Sequence, residues 1–257
     1  MSRFNNLEFE GEHEDPGAMS AVAKDEAHYL AEAQTAFANA NFDTALRLYS
    51  KVLEFNVQNV VAWAGQVRML IELGEFNEAR LWAEKALERF PREPELLAAK
   101  AVALARSGCC EEALACSDAS IEARGDTPYV WLARGDVLLS RKESRADYCF
   151  EKAMLVAPRN WFIVWLAARV RYYYRQFALA IKMVEQALQW NAGHFVLWIE
   201  YGRCQQALGL LGAARTSLDQ ARQLNPQSPQ VAAALASLAS TGFSDRLRGF
   251  LNRLFLR

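Results

Sequence analysis

A chain of 257 residues with 52% hydrophobic and 23% charged side chains has material for a continuous core and enough charge to stay in water. Its formal net charge of −1 argues against a sequence-independent nucleic-acid binder, which works by neutralising phosphates, and no apolar run approaches the ~18 residues of a membrane-spanning helix. Five cysteines without a CxxC pair encode neither a disulfide framework nor a zinc knuckle; they read as small buried or half-buried residues, and the cytosol is the expected address.

Residues 1–24 set Glu8, Glu10, Glu12, Glu14 and Asp15 against Arg3 and Lys24, with Pro16 and Gly17 interrupting any helix. This composition predicts a disordered acidic leader and lacks the basic start and apolar stretch of a secretory signal. Phe4, Leu7 and Phe9 alternate with the acids, which suits a segment able to occupy a groove of its own or a neighbouring chain.

From residue 25 to 228 the chain is periodic. Ala45, Ala79, Ala113, Ala146, Ala180 and Ala214 follow one another at 34, 34, 33, 34 and 34 residues. Seven places on come Val52, Ala86, Ser120, Ala153, Ala187 and Ala221. Five further stand Val57, Pro91, Gly125, Pro158, Ala192 and Pro226, residues suited to a chain leaving a helix. Trp63, Trp131, Trp165 and Trp198 mark the early part of their units. Each unit reads as an apolar helix-period segment, a short turn, a second such segment and a loop. The first unit shows Tyr29, Ala33, Ala36 and Phe37, the turn Asn39-Ala40-Asn41, then Phe42, Ala45, Leu48, Tyr49 and Val52. Gly74, Gly108 and Gly209 hold equivalent turn positions. The fourth unit is one residue short around Ser140 to Ser144 and lacks the turn glycine, and Trp165 sits one place late in the fifth. The period predicts an all-α fold, a right-handed α-α superhelix of about six helix pairs followed by C-terminal helices. Small residues recur because stacked antiparallel helices must approach closely where they cross.

These residues resemble the tetratricopeptide repeat family: a bulky residue early in the first helix, a small residue after it, alanine, an aromatic and alanine in the second, and proline at the end. The resemblance implies a non-enzymatic adaptor or scaffold whose first helices line a concave groove for a partner's peptide or helix. The groove places it assigns are Gln34, Arg68, Arg106, Tyr129, Asp136, Phe162, Trp165, Arg169, Tyr172, Tyr173, Arg203 and Gln206, together with Phe37, Glu72 and Ser140. Arg68, Arg169 and Arg203 share one place in different repeats, and guanidinium forks suit carboxylates while aromatic faces suit apolar anchors. The expected ligand is therefore an acidic peptide or helix with an apolar anchor. The two-carboxylate clamp of some members is absent, since Leu30 and Gln34 replace its lysine and asparagine.

No chemistry accompanies the repeats. His13, His28 and His194 have no Cys/His neighbours at metal spacing, and there is no phosphate loop or serine elbow. Cys109-Cys110 reads as a tolerated turn pair. No catalytic residue, metal, cofactor or small-molecule substrate is expected.

Residues 229–241 read as a capping helix. In residues 243–257, Phe243, Leu247, Phe250, Leu251 and Leu254 share a helical face flanked by Arg246, Arg248, Arg253 and Arg257, which suits either a cap on the last repeat or weak contact with a membrane surface. The alternatives to a groove adaptor are accordingly a peripheral membrane scaffold held by this helix, or a recruiting subunit of a separate enzyme.

Overall fold

The computed structural model describes residues 25–240; the predicted leader and the basic amphipathic segment 243–257 lie outside the described residues. All regular structure among them is helical: α1 (Glu26–Ala38) and α2 (Phe42–Phe55), α3 (Val60–Glu72) and α4 (Phe76–Arg89), α5 (Pro94–Arg106) and α6 (Cys110–Glu122), α7 (Pro128–Ser140) and α8 (Ala146–Val156), α9 (Trp161–Tyr173) and α10 (Phe177–Trp190), α11 (Phe195–Ala207) and α12 (Leu211–Leu224), then α13 (Pro229–Ala239). The helices form six successive pairs, and α13 follows them within residues 229–241.

The chain divides after Gly125 into two compact units, whereas the period alone suggests a single array. The break falls where glycine stands in the row of Pro91, Pro158 and Pro226. In the first unit α1 to α6 pack in succession and α3 also touches α5. In the second, α7 to α13 pack in succession, and α7, α9, α11 and α13 each touch the next of their number. First helices thus form one layer of each stack.

Local chemistry explains the helix ends. Side chains of Asp25, Asn59, Thr127, Asn160 and Ser228 accept the orphan amides that open α1, α3, α7, α9 and α13. Pro94, Pro128 and Pro229 occupy first-turn positions that need no N–H donor. Each hairpin turn closes with a backbone bond five residues back: Asn41 to Ala36, Glu75 to Leu70, Cys109 to Leu104, Glu143 to Leu138, Gln176 to Arg171 and Leu210 to Gln205, all at 2.8–2.9 Å.

That closure requires a left-handed residue, and all six turns have one: Gly74, Gly108 and Gly209, but also Ala40, Lys142 and Arg175 at φ 55°, 58° and 59°. A side chain there costs backbone strain that glycine avoids. Ala40→Gly, Lys142→Gly and Arg175→Gly are each expected to raise stability by about 0.5–1 kcal/mol, read as a higher denaturation midpoint; three unchanged or lower midpoints would show that the strain is absorbed elsewhere.

The recurrent alanines are the packed seam. Ala45, Ala79, Ala113, Ala146, Ala180 and Ala214 are all fully buried, as are Ala86, Ala153, Ala187 and Ala221. Glycines in the first helices mark still closer approach. A Cβ on Gly135 would lie 2.6 Å from the Phe150 ring, and one on Gly202 would lie 2.8 Å from Leu218 and 3.3 Å from the Ala214 carbonyl oxygen.

The missing residue of the fourth repeat comes out of the first turn of α8. The amide of Ala146 bonds back three residues to Glu143, where the equivalent Ala113 bonds back four to Cys109. Glu143 also takes hydrogen bonds from Arg141 and Arg145, and these bonds hold its carboxyl below the usual carboxylate range.

The tryptophans resolve the register. Indole N–H groups of Trp63 and Trp198 donate to the Val57 and Ala192 carbonyls, and that of Trp131 to Asp126 Oδ1, each at 2.8 Å across the preceding loop. Trp165 lies one place off this row, where Val164 takes the equivalent position, and its buried Nε1 finds no partner.

Candidate peptide-binding surface

The expected groove positions lie on the first helices. In the first unit Gln34 is exposed on α1. Arg68 of α3 sets its guanidinium 5.0 Å over the Phe37 ring and places Nη1 4.0 Å from Glu95 of α5. Glu72 and Arg106 are half-buried at the ends of α3 and α5. The Tyr49 phenol beneath is pushed up by burial, with Arg68 opposing the shift.

The second unit concentrates more of the set. On α9, Phe162 lies 5.4 Å from Trp165 by ring centres, and the Arg169 guanidinium sits 5.2 Å over the Trp165 ring. Arg169 Nη1 is 3.4 Å from Glu200 Oε2, and Arg203 Nη1 is 4.0 Å from the same oxygen. Tyr172 is within electrostatic reach of all three; burial is the main cause of its raised pKa, Glu200 adding to the rise and both arginines opposing it. Tyr173 is 44% exposed. Gln206 Nε2 reaches the Ser237 carbonyl and hydroxyl on α13 at 3.3 and 3.4 Å. On α7, Tyr129 and Ser140 are half-buried.

Two expected groove residues are core instead. Trp165 is buried, as are Ala64, Ala98, Leu132 and Ile199 in the same row of other repeats, and Asp136 is 1% exposed and accepts the Tyr174 hydroxyl at 2.8 Å. The three arginines also meet carboxylates of the protein itself: Arg203 and Glu200 are three apart on α11, whereas Arg68–Glu95 and Arg169–Glu200 cross between helices, a pairing that spacing along one helix does not contain.

Other charged residues are equally hidden from the apolar pattern. Arg171 of α9 is 4% exposed, donates to Asp147 Oδ1 and Gln176 Oε1 at 2.6 Å each, and lies 4.7 Å over the Phe150 ring. It stands in the row of Leu70, Leu104 and Leu138, and that departure from the row is the available signal. Glu200 likewise stands in the row of Gly65, Ala99, Ala133 and Leu166.

At the other end of these helices His194 stacks on Trp161 at 4.3 Å and on Phe195 at 5.6 Å. Burial pushes its imidazole pKa down. The native state therefore refuses a proton that the unfolded chain accepts near pH ~6.5. Stability from this group is full above that pH and is lost as pH falls through the lower folded value. His194→Gln is expected to flatten the decline in urea midpoint between pH 7.5 and 5; a parent and variant with the same slope would refute this.

Among the described residues no group of three or more His, Cys, Asp or Glu is placed to hold a metal ion, and no helix is long and apolar enough to cross a membrane. Cys149 and Cys204 are buried, Cys110 and Cys116 are half-buried, and Cys109 is exposed immediately before α6. Burial raises the thiol pKa of Cys116, Cys149 and Cys204, which keeps them protonated.

The sequence profile of the tetratricopeptide repeat matches residues 36–103 and 174–238, just over half of the chain. The chain belongs to the tetratricopeptide repeat family. No curated protein sequence matches this tetratricopeptide repeat protein. Among solved structures it is similar to the tetratricopeptide repeat protein TTC0263 of Thermus thermophilus, at 17% identity and a TM-score of 0.49 over 84% of this chain and all of that one. It is also similar to the APC/C Cut9–Hcn1 hetero-tetramer, at 15% identity and 0.47 over 93% of this chain and 54% of that one. A monomeric IFIT1 variant with a capped RNA gives 14% and 0.50 over 89% of this chain and 59% of that one. This tetratricopeptide repeat protein thus spans little more than half of those two longer chains. Likeness at these identities shows the helical-repeat fold alone.

Proposed function

We propose that this protein is a non-enzymatic adaptor that holds an acidic, apolar-anchored peptide or helix of a partner protein on its first-helix layer. Membership of a family of generally non-enzymatic protein-binding scaffolds supports the class. The observation that carries the ligand chemistry is the α9–α11 face, where Tyr172 is within electrostatic reach of Arg169 and Arg203, and Phe162 lies against the Trp165 ring that Arg169 covers. Aromatic side chains beside guanidinium groups are the composition of binding hot spots, and the side chain of Arg203, 37% exposed, offers a cation to an acidic ligand.

Selection of a random dodecapeptide display library on the full chain tests this reading. The expected outcome is enrichment of peptides that pair Asp or Glu with an aromatic or aliphatic residue. Tyr172→Ala and Arg203→Gln are each expected to weaken the selected peptides about tenfold, measured at a temperature where circular dichroism shows both variants folded. Peptides lacking acids, or affinities untouched by both substitutions, would refute it.

A further inference from the structure

We infer that Glu200 sets the charge selectivity of this surface by standing inside it as a built-in carboxylate ligand; the inference rests on the groove reading above. Five other repeats hold a small or apolar residue in its row: Ala31, Gly65, Ala99, Ala133 and Leu166. The sixth puts an acid there, only 2% exposed. A carboxylate withdrawn from water needs cationic partners. It has two: Arg169 at 3.4 Å and Arg203 at 4.0 Å, which occupy the same place on consecutive first helices and converge on one oxygen.

The arrangement shows what the arginine pair binds and also moderates it. With Glu200 ionised, the trio carries a single positive charge, and the side chain of Arg203, 37% exposed, is its outward member. Removing the Glu200 charge makes the surface more positive by one unit, and a more acidic peptide would then be favoured. Arg169 is held against Trp165 at 5.2 Å, so its guanidinium keeps its place when the carboxylate is neutralised. Glu200 thus tunes the ligand class of the surface from plainly polyanionic to mildly acidic.

The same display selection, repeated on Glu200→Gln and Glu200→Asp, tests this. Wild type is expected to enrich mildly acidic peptides. Glu200→Gln is expected to enrich peptides with about one more Asp or Glu, matching the single charge removed, and to bind them with a steeper salt dependence. Glu200→Asp, which keeps the charge, is expected to select as wild type does. Equal acidic content on wild type and Glu200→Gln overturns the inference while leaving the groove reading intact. A rise in both variants also overturns it, since that would report lost positioning instead of lost charge. No enrichment on wild type overturns the groove reading and the inference together. Circular dichroism melts of each variant confirm that folded protein is being compared.

Discussion

Ala79→Leu and Ala187→Leu are each expected to destabilise the chain by about 1–3 kcal/mol, a fall in thermal midpoint of roughly 2–4 °C for every kcal/mol. Both alanines are fully buried in second helices, Ala79 on α4 and Ala187 on α10. The neighbouring helices approach closely at these rows, and three added heavy atoms have nowhere to go without backbone movement. Because one alanine belongs to each compact unit, the pair reports on both stacks separately. Ala27→Leu, on the exposed face of α1, is the control and should change little. Unaltered midpoints in both core variants would mean that the seam is looser than its burial indicates.

Arg171 and Asp147 are expected to respond unequally to removal. Asp147→Ala leaves a buried guanidinium whose remaining side-chain acceptor is Gln176 Oε1, and its Nε already has no partner. Loss of one partner of a fully buried pair costs about 3–5 kcal/mol; the Asp147 side chain is 60% exposed, so solvent reduces the expected loss to about 1–2 kcal/mol. Arg171→Leu instead removes the charge together with its demand for partners and restores the residue type of Leu70, Leu104 and Leu138. It is expected to fall within about 1 kcal/mol of the parent, or above it. Urea denaturation of the two single variants decides the matter. Greater damage from Arg171→Leu than from Asp147→Ala would show that the ion pair itself, and not the avoidance of an orphaned charge, stabilises the site.

The helix pairs, their turns and their buried alanines were legible because each follows from a short-range rule repeated six times. A row that contains glycine three times, Gly74, Gly108 and Gly209, announces a left-handed backbone, and the same row foretells it at Ala40, Lys142 and Arg175. The candidate surface was legible only as helix positions. Spacing along one helix cannot reveal that Glu95 sits opposite Arg68 or Glu200 opposite Arg169, since those contacts cross between helices 27 to 31 residues apart in sequence. Trp165 misleads because a groove rule for its place does not see that Ala64, Ala98, Leu132 and Ile199 in the same row are all buried. Asp136 misleads for a different reason: its place faces a groove by rule, but Tyr174 supplies a hydrogen-bond partner that lets an acid sit inside.

Periodicity of this kind suggests interchangeable parts, and the buried polar side chains say otherwise. Gln66 gives its amide to Ser50 of the preceding hairpin, Asp136 depends on Tyr174 of the following one, and Arg171 reaches back to Asp147. Each such pair works as a key cut for one neighbour. Separating the first hairpin from the second, or the fourth from the fifth, would strand a polar or charged group without its mate, at about 1–3 kcal/mol for each one left unsatisfied. The order of the repeats is therefore inscribed in the molecule, and an engineer who wishes to lengthen it must first rewrite those pairs as hydrocarbon.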